Sequence, residues 1–161
     1  MQFYNKIILT IISICALGGT ALAAEYAVSS KAFTTITLDQ TPAPDGNSVV
    51  HFQGNSIATV EGMPEGYPGL VISKCIGSRL QSPEWTNLGE AFICTVLDAD
   101  GDGYINMGNV PNPDWTGCTY KSISAWGKYA GTTMTGQCGV SGWVDVNHIV
   151  LEFSATFTTP D

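Results

Sequence analysis

Charge is scarce in this chain. Only 12% of its 161 residues are charged, and Lys plus Arg number 6 against 14 Asp and Glu, for a formal charge of −8. An average globular protein carries about 25% charged residues. A surface this poor in cations repels nucleic acid and anionic membrane instead of gathering them through counterion release, so nucleic-acid binding is excluded. No C-x-x-C pair is present, which argues against a zinc knuckle and a thioredoxin-type redox site. There is no G-x-S-x-G nucleophile elbow and no G-x-x-x-x-G-K-S/T phosphate loop. Histidine occurs only at His51 and His148. Both fall on expected strands, where a surface position accounts for them better than a triad. Disorder is excluded as well, because 44% apolar and 10% aromatic residues can build a core.

The first two dozen residues read as an address. Lys6 precedes an apolar run from Ile7 to Leu17, and Ala21-Leu22-Ala23 supplies a small-residue exit. This is the pattern of a secretory signal peptide, with cleavage expected after Ala23. The run is short for a bilayer span, and no later run of about 20 apolar residues follows it. The expected organisation is therefore 1–23 signal peptide and 24–161 one domain, secreted or periplasmic. Lys6 leaves with the leader, so the mature chain is more acidic still.

Cys15 leaves too, and Cys75, Cys94, Cys118 and Cys138 remain. Four cysteines in an exported chain read as two disulfides with three possible connectivities. Sequential pairing, Cys75–Cys94 and Cys118–Cys138, is preferred because each pair would then lie on neighbouring antiparallel strands.

Helical periodicity is missing after the leader, while period-two stretches recur. The plainest is the last: Ile149, Leu151, Phe153, Ala155 and Phe157 share one face, with His148, Glu152, Ser154 and Thr156 on the other. From Leu88 to Leu97 both faces are largely apolar, which predicts a strand buried on both sides. Other expected strands are Ala32–Leu38, Ser48–Gln53, Ile57–Glu61, Leu70–Ile76, Gly103–Met107, Cys118–Trp126 and Thr132–Cys138 running toward Trp143. Proline- and glycine-rich turns such as 41–47, 63–69 and 111–114 separate them. Eight or nine short strands predict an all-β sandwich or an up-and-down barrel.

The sharpest local motif is Asp98-Ala99-Asp100-Gly101-Asp102-Gly103. Carboxylates at alternate positions and a glycine at the sixth open a calcium loop, with Tyr104 offering a backbone carbonyl and Asn106 a later ligand. The loop's twelfth position is Asn109 and not a bidentate glutamate, so an acidic hairpin turn competes with structural calcium. Trp126-Gly127-Lys128-Tyr129-Ala130-Gly131 either sets a cation and a phenol at a barrel mouth or makes a tight bend with the tyrosine in the core. Trp85, Trp115, Trp126 and Trp143 all fall at turns or strand ends, where aromatics stack on a ligand or plug a barrel. Tyr129, Trp126 and Trp143 are the candidate ligand-binding residues. Glu61, Glu65, Glu84 and Glu90 could be paired as carboxylates, with no spacing that selects any two.

Taken together, the run Cys94 to Asp102 and the segment Trp126 to Thr132 about 25 residues later resemble secreted bacterial relatives of the allene oxide cyclase and dirigent barrels. Those show a C-x-x-x-D-A-D-G-D-like strand end, then G-G-T-G-K-Y-A-G and a later T-G. Here Ser124-Ala125-Trp126 replaces Gly-Gly-Thr, and Thr135-Gly136 supplies the Thr-Gly. The resemblance spans roughly Leu70 to Phe157. It implies one antiparallel up-and-down barrel of about eight strands whose lumen holds a small apolar molecule, and it transfers no catalytic residue. The expected function is an exported barrel that binds a small hydrophobic ligand or serves as a non-catalytic interaction module. The alternative is an enzyme guiding cyclisation or isomerisation in the lumen, with Tyr129, Glu90 or Asp98 moving the proton. No cofactor is required on either reading, and calcium at the acidic turn would be structural.

Overall fold

The computed structural model describes residues 23–84, 86–112, 114 and 116–160. The expected leader therefore lies outside the described residues, save Ala23, as do Trp85 and Trp115. Eight strands follow in order: β1 (Glu25–Pro42), β2 (Ser48–Glu61), β3 (Leu70–Gln81), β4 (Asn87–Leu97), β5 (Gly103–Val110), β6 (Thr119–Trp126), β7 (Thr133–Asp145) and β8 (His148–Thr158). Each pairs antiparallel with the next, and β1 pairs with β8, closing the barrel. Closure leaves no sheet edge to template another chain. Among the described residues no helix is long and apolar enough to cross a membrane.

Alternation drives the architecture. On β8 the face read from sequence is the inward one: Ile149 and Phe157 are fully buried, with Leu151, Phe153 and Ala155 between them. Both expected disulfides form, Cys75–Cys94 across β3 and β4 and Cys118–Cys138 beside β6 and β7. They are consistent with an oxidising compartment.

Two expectations are corrected. Ser48–Gln53 and Ile57–Glu61 are one strand, because Gly54 does not break the ladder: its backbone pairs with Ile36 on one side and Cys75 on the other. Strand β4 is not buried on both faces either. Ile93 points outward and is 43% exposed, in a cross-strand row with Ile76 and Met107. Apolar residues therefore stand on the barrel's outer wall as well as in its lumen.

Inside, a registered row alternates large and small. Phe52 faces Gly77, Gly77 faces Phe92, Phe92 faces Gly108, Gly108 faces Tyr120, and Tyr120 faces Gly136. The rings of Phe52, Phe92 and Tyr120 lie over Gly77, Gly108 and Gly136, close enough that a Cβ at any of the three would collide with them. Small barrels fill their interior by such alternation, and aromatic cover compensates for glycine in a strand.

Candidate functional site

The two ends of the barrel differ. The end carrying the β2–β3, β4–β5 and β6–β7 connections is plugged by rings. Tyr129 is nearly fully buried and meets Tyr67 and Tyr104 edge to face at centroid distances of 5.2 and 5.3 Å, while Tyr67 meets Phe157 at 5.0 Å. Tyr67 also donates to the Lys128 carbonyl, 3.1 Å away.

The acidic turn holds this plug in place. Asp98 Oδ1 accepts from the Asp100 and Asp102 backbone N–H groups at 2.9 and 3.2 Å, closing the β4–β5 hairpin. The Lys128 ammonium lies 3.0 Å from Asp98 Oδ2 and 2.7 Å from Asp100 Oδ2. Asp102 Oδ2 accepts from the Lys128 N–H, and Trp126 donates to the Gly101 carbonyl. Gly127 has φ +62 and lies against the Asp102 carboxylate, where no Cβ fits. Burial alone would raise the Asp98 carboxyl; the Lys128 hydrogen bond and two backbone N–H groups outweigh it and hold the carboxyl below its usual range. Lys128 is raised by its hydrogen bonds to Asp100 and Asp98.

The residues expected to hold calcium therefore do not converge. Asp98 and Asp100 turn on an internal cation, Asp102 on a backbone N–H, Tyr104 enters the core and Asn106 enters the lumen. Among the described residues no group of three or more His, Cys, Asp or Glu side chains is placed to hold a metal ion.

The other end is open. An apolar chamber of about 110 Å³ begins there, lined by Ile36, Leu38, Phe52, Trp143, Leu151 and Phe153 among others. Leu38, Trp143 and Val146 form a partly exposed apolar lip. Two charged side chains enter this chamber: Glu90 from β4 and Arg79 from β3, which are cross-strand partners. Glu90 is only 7% exposed. Its burial pushes the carboxyl up from 4.5 to about 7, against the opposing pull of the Arg79 charge. Arg79 Nε is itself buried without a hydrogen-bond partner. An apolar cavity with a few convergent polar groups and a perturbed acid has the composition of a small-molecule site.

Trp143 alone of the three candidate aromatics lines the chamber; Trp126 packs over the acidic turn and Tyr129 is part of the plug. Of the proposed proton carriers, Glu90 reaches the lumen and Asp98 is committed to Lys128. Glu61, Glu65 and Glu84 do not line the chamber. His51 bonds Ser78 at 2.7 Å and His148 bonds Asp145 at 2.8 Å, both outside it. Arg79 had escaped the sequence reading, although it is the chain's one arginine and shares the inward parity of Cys75.

No protein-family model matches the chain, and no curated protein matches it. Among solved structures, a pterocarpan synthase dirigent protein superposes over 100% of both chains with a TM-score of 0.52 and 15% sequence identity. The two share an eight-stranded closed barrel fold. At that identity the likeness concerns architecture, and any chemistry of this barrel has to be argued from its own lumen residues.

Proposed function

We propose that this chain is an exported barrel that takes up a small, largely apolar molecule through its open end and holds it in the lumen, with a polar group of the molecule facing Glu90 and Arg79. The observation that carries the reading is the outer chamber itself: aliphatic and aromatic walls, an apolar lip, and one acid–arginine pair at its side. Burying those charges in an apolar cavity is costly unless a partner uses them. Native mass spectrometry of protein exported into an oxidising compartment and gently purified tests it. A retained organic adduct is expected, and Leu151→Trp, which fills the chamber, removes it. An adduct that survives that substitution sinks the reading.

Glu90 favours a second reading. An acid whose pKa is about 7 both gives and takes a proton near neutral pH. The lumen would then guide a cyclisation or isomerisation, folding the substrate while Glu90 moves the proton and Arg79 steadies developing negative charge. The structural neighbour is described as a synthase, which is compatible with such a role. If the retained molecule is converted to an isomer, the rate should follow a group titrating near pH 7 and vanish in Glu90→Gln. Conversion that persists in that variant assigns the proton transfer elsewhere.

A further inference from the structure

Deeper in the lumen lies a second cavity of about 70 Å³, adjoining the outer chamber at Phe92, Cys94 and Phe153, which line both. Its walls include Val28, Ala58, Val71 and Val96, with the hydroxyl-bearing Ser73 and Tyr120 among them and Tyr104 toward the plug. Asn106 projects into it from β5. This residue is 8% exposed, and no donor of the described residues reaches its Oδ1. A buried amide oxygen without a donor is rare in folded proteins, because desolvation is not returned by any hydrogen bond. Asn106 lies opposite Cys94, four residues along β4 from Glu90. That separation corresponds to about 13 Å of strand.

We propose that Asn106 is a specificity-determining residue of the lumen: its carboxamide oxygen receives the hydroxyl of an elongated apolar molecule whose other end lies near Glu90 and Arg79. The proposal rests on the lumen being a ligand chamber. It adds the class of molecule, an apolar body reaching about 13 Å inward with an O–H donor at its buried tip. A site that presents an unpaired acceptor discriminates strongly against molecules of equal shape lacking the donor, since these leave the acceptor stranded.

Two isomeric probes separate the claims. 1-Octanol carries an O–H donor; heptyl methyl ether has the same atoms and only an acceptor. Binding is followed in ¹H–¹⁵N spectra of the intact protein. Octanol is expected to bind roughly tenfold or more tightly than the ether, and to move the Asn106 side-chain amide resonances where the ether does not. In Asn106→Leu the ether should still bind and the preference should disappear. Equal binding of the two probes to the wild-type protein, or a preference that Asn106→Leu retains, overturns the assignment while leaving the chamber intact. If neither probe binds, the ligand-chamber reading fails, and this inference with it. Should Asn106→Leu not fold, the wild-type resonances decide alone: an unmoved Asn106 amide with octanol bound overturns the proposal.

Discussion

Arg79 and Glu90 face one another from adjacent strands inside an apolar chamber, yet make no salt bridge. Desolvation therefore dominates, and the carboxyl takes up a proton near neutral pH. The stability consequence has a definite sign. The folded pKa lies above the ordinary one, so the folded state binds the proton more tightly than the unfolded state. Stability from this group is fully present below about pH 4.5 and declines as pH rises to about 7. The decline amounts to at most about 3 kcal/mol. Chemical denaturation between pH 4.5 and 8 should show it, and Glu90→Gln should flatten the curve and be the more stable protein at pH 8. A wild-type curve that rises over that window contradicts the account.

Removing the Arg79 charge should move that window. Arg79→Met takes away the one influence that lowers Glu90, so the midpoint measured by ¹³C-carboxyl NMR should shift upward from about 7. A downward shift would mean that another cation reaches Glu90.

Lys128 joins the acidic turn to the aromatic plug. Lys128→Met leaves the Asp98 carboxylate, whose side chain is 1% exposed, without its counter-charge. A buried charge stripped of its partner is strongly destabilising, so Tm should fall by several degrees. Asp98→Asn in the same chain should recover much of the loss. Calcium at this turn would first have to displace the Lys128 ammonium. Calorimetry with calcium and then with chelator should give the same Tm for the wild-type protein. A rise in Tm with calcium that Asp98→Ala abolishes would make the turn a metal site.

The glycines beneath the aromatic row should resist substitution. A methyl at Gly77 meets the Phe52 ring and the Ala91 carbonyl, and one at Gly108 meets the Phe92 ring and the Thr119 carbonyl. Overpacking of this kind costs about 1–3 kcal/mol. Urea denaturation of Gly108→Ala should show a loss in that range, whereas Gly139→Ala, where nothing lies near the added atom, should be close to neutral.

Each disulfide closes a loop of about 20 residues, so replacing either pair by alanine should cost on the order of 3 kcal/mol. The Cys75–Cys94 replacement has a second effect, because both cysteines line the outer chamber. It should alter probe binding as well as stability, and more strongly than the Cys118–Cys138 replacement, of which Cys138 alone lines the chamber; the reverse order would locate the chamber differently.

Much of the barrel was legible in the chain. Alternation is a local property, so the inward face of β8 could be read residue by residue. The cysteine count and spacing carried the disulfides. The continuity of β2 through Gly54 was not legible, because a glycine's local preference for turns is overridden only when partners on both sides supply its hydrogen bonds. The charged pair at the open end was closer to hand than it looked. Once Cys75 and Cys94 are paired on antiparallel strands, stepping four residues along each in opposite directions places Arg79 beside Glu90, both inward.

By itself, then, the sequence determined the all-β class and the facing of β8 and favoured the observed cross-links, since periodicity and pairing between adjacent strands act between near neighbours. Only the tertiary structure decided the rest. It turned the acidic run onto Lys128, sent Tyr129 into a plug and Asn106 into the lumen, and raised Glu90. Those outcomes depend on which distant side chains share a small volume and how much water they exclude from it. Neither quantity exists until the barrel closes.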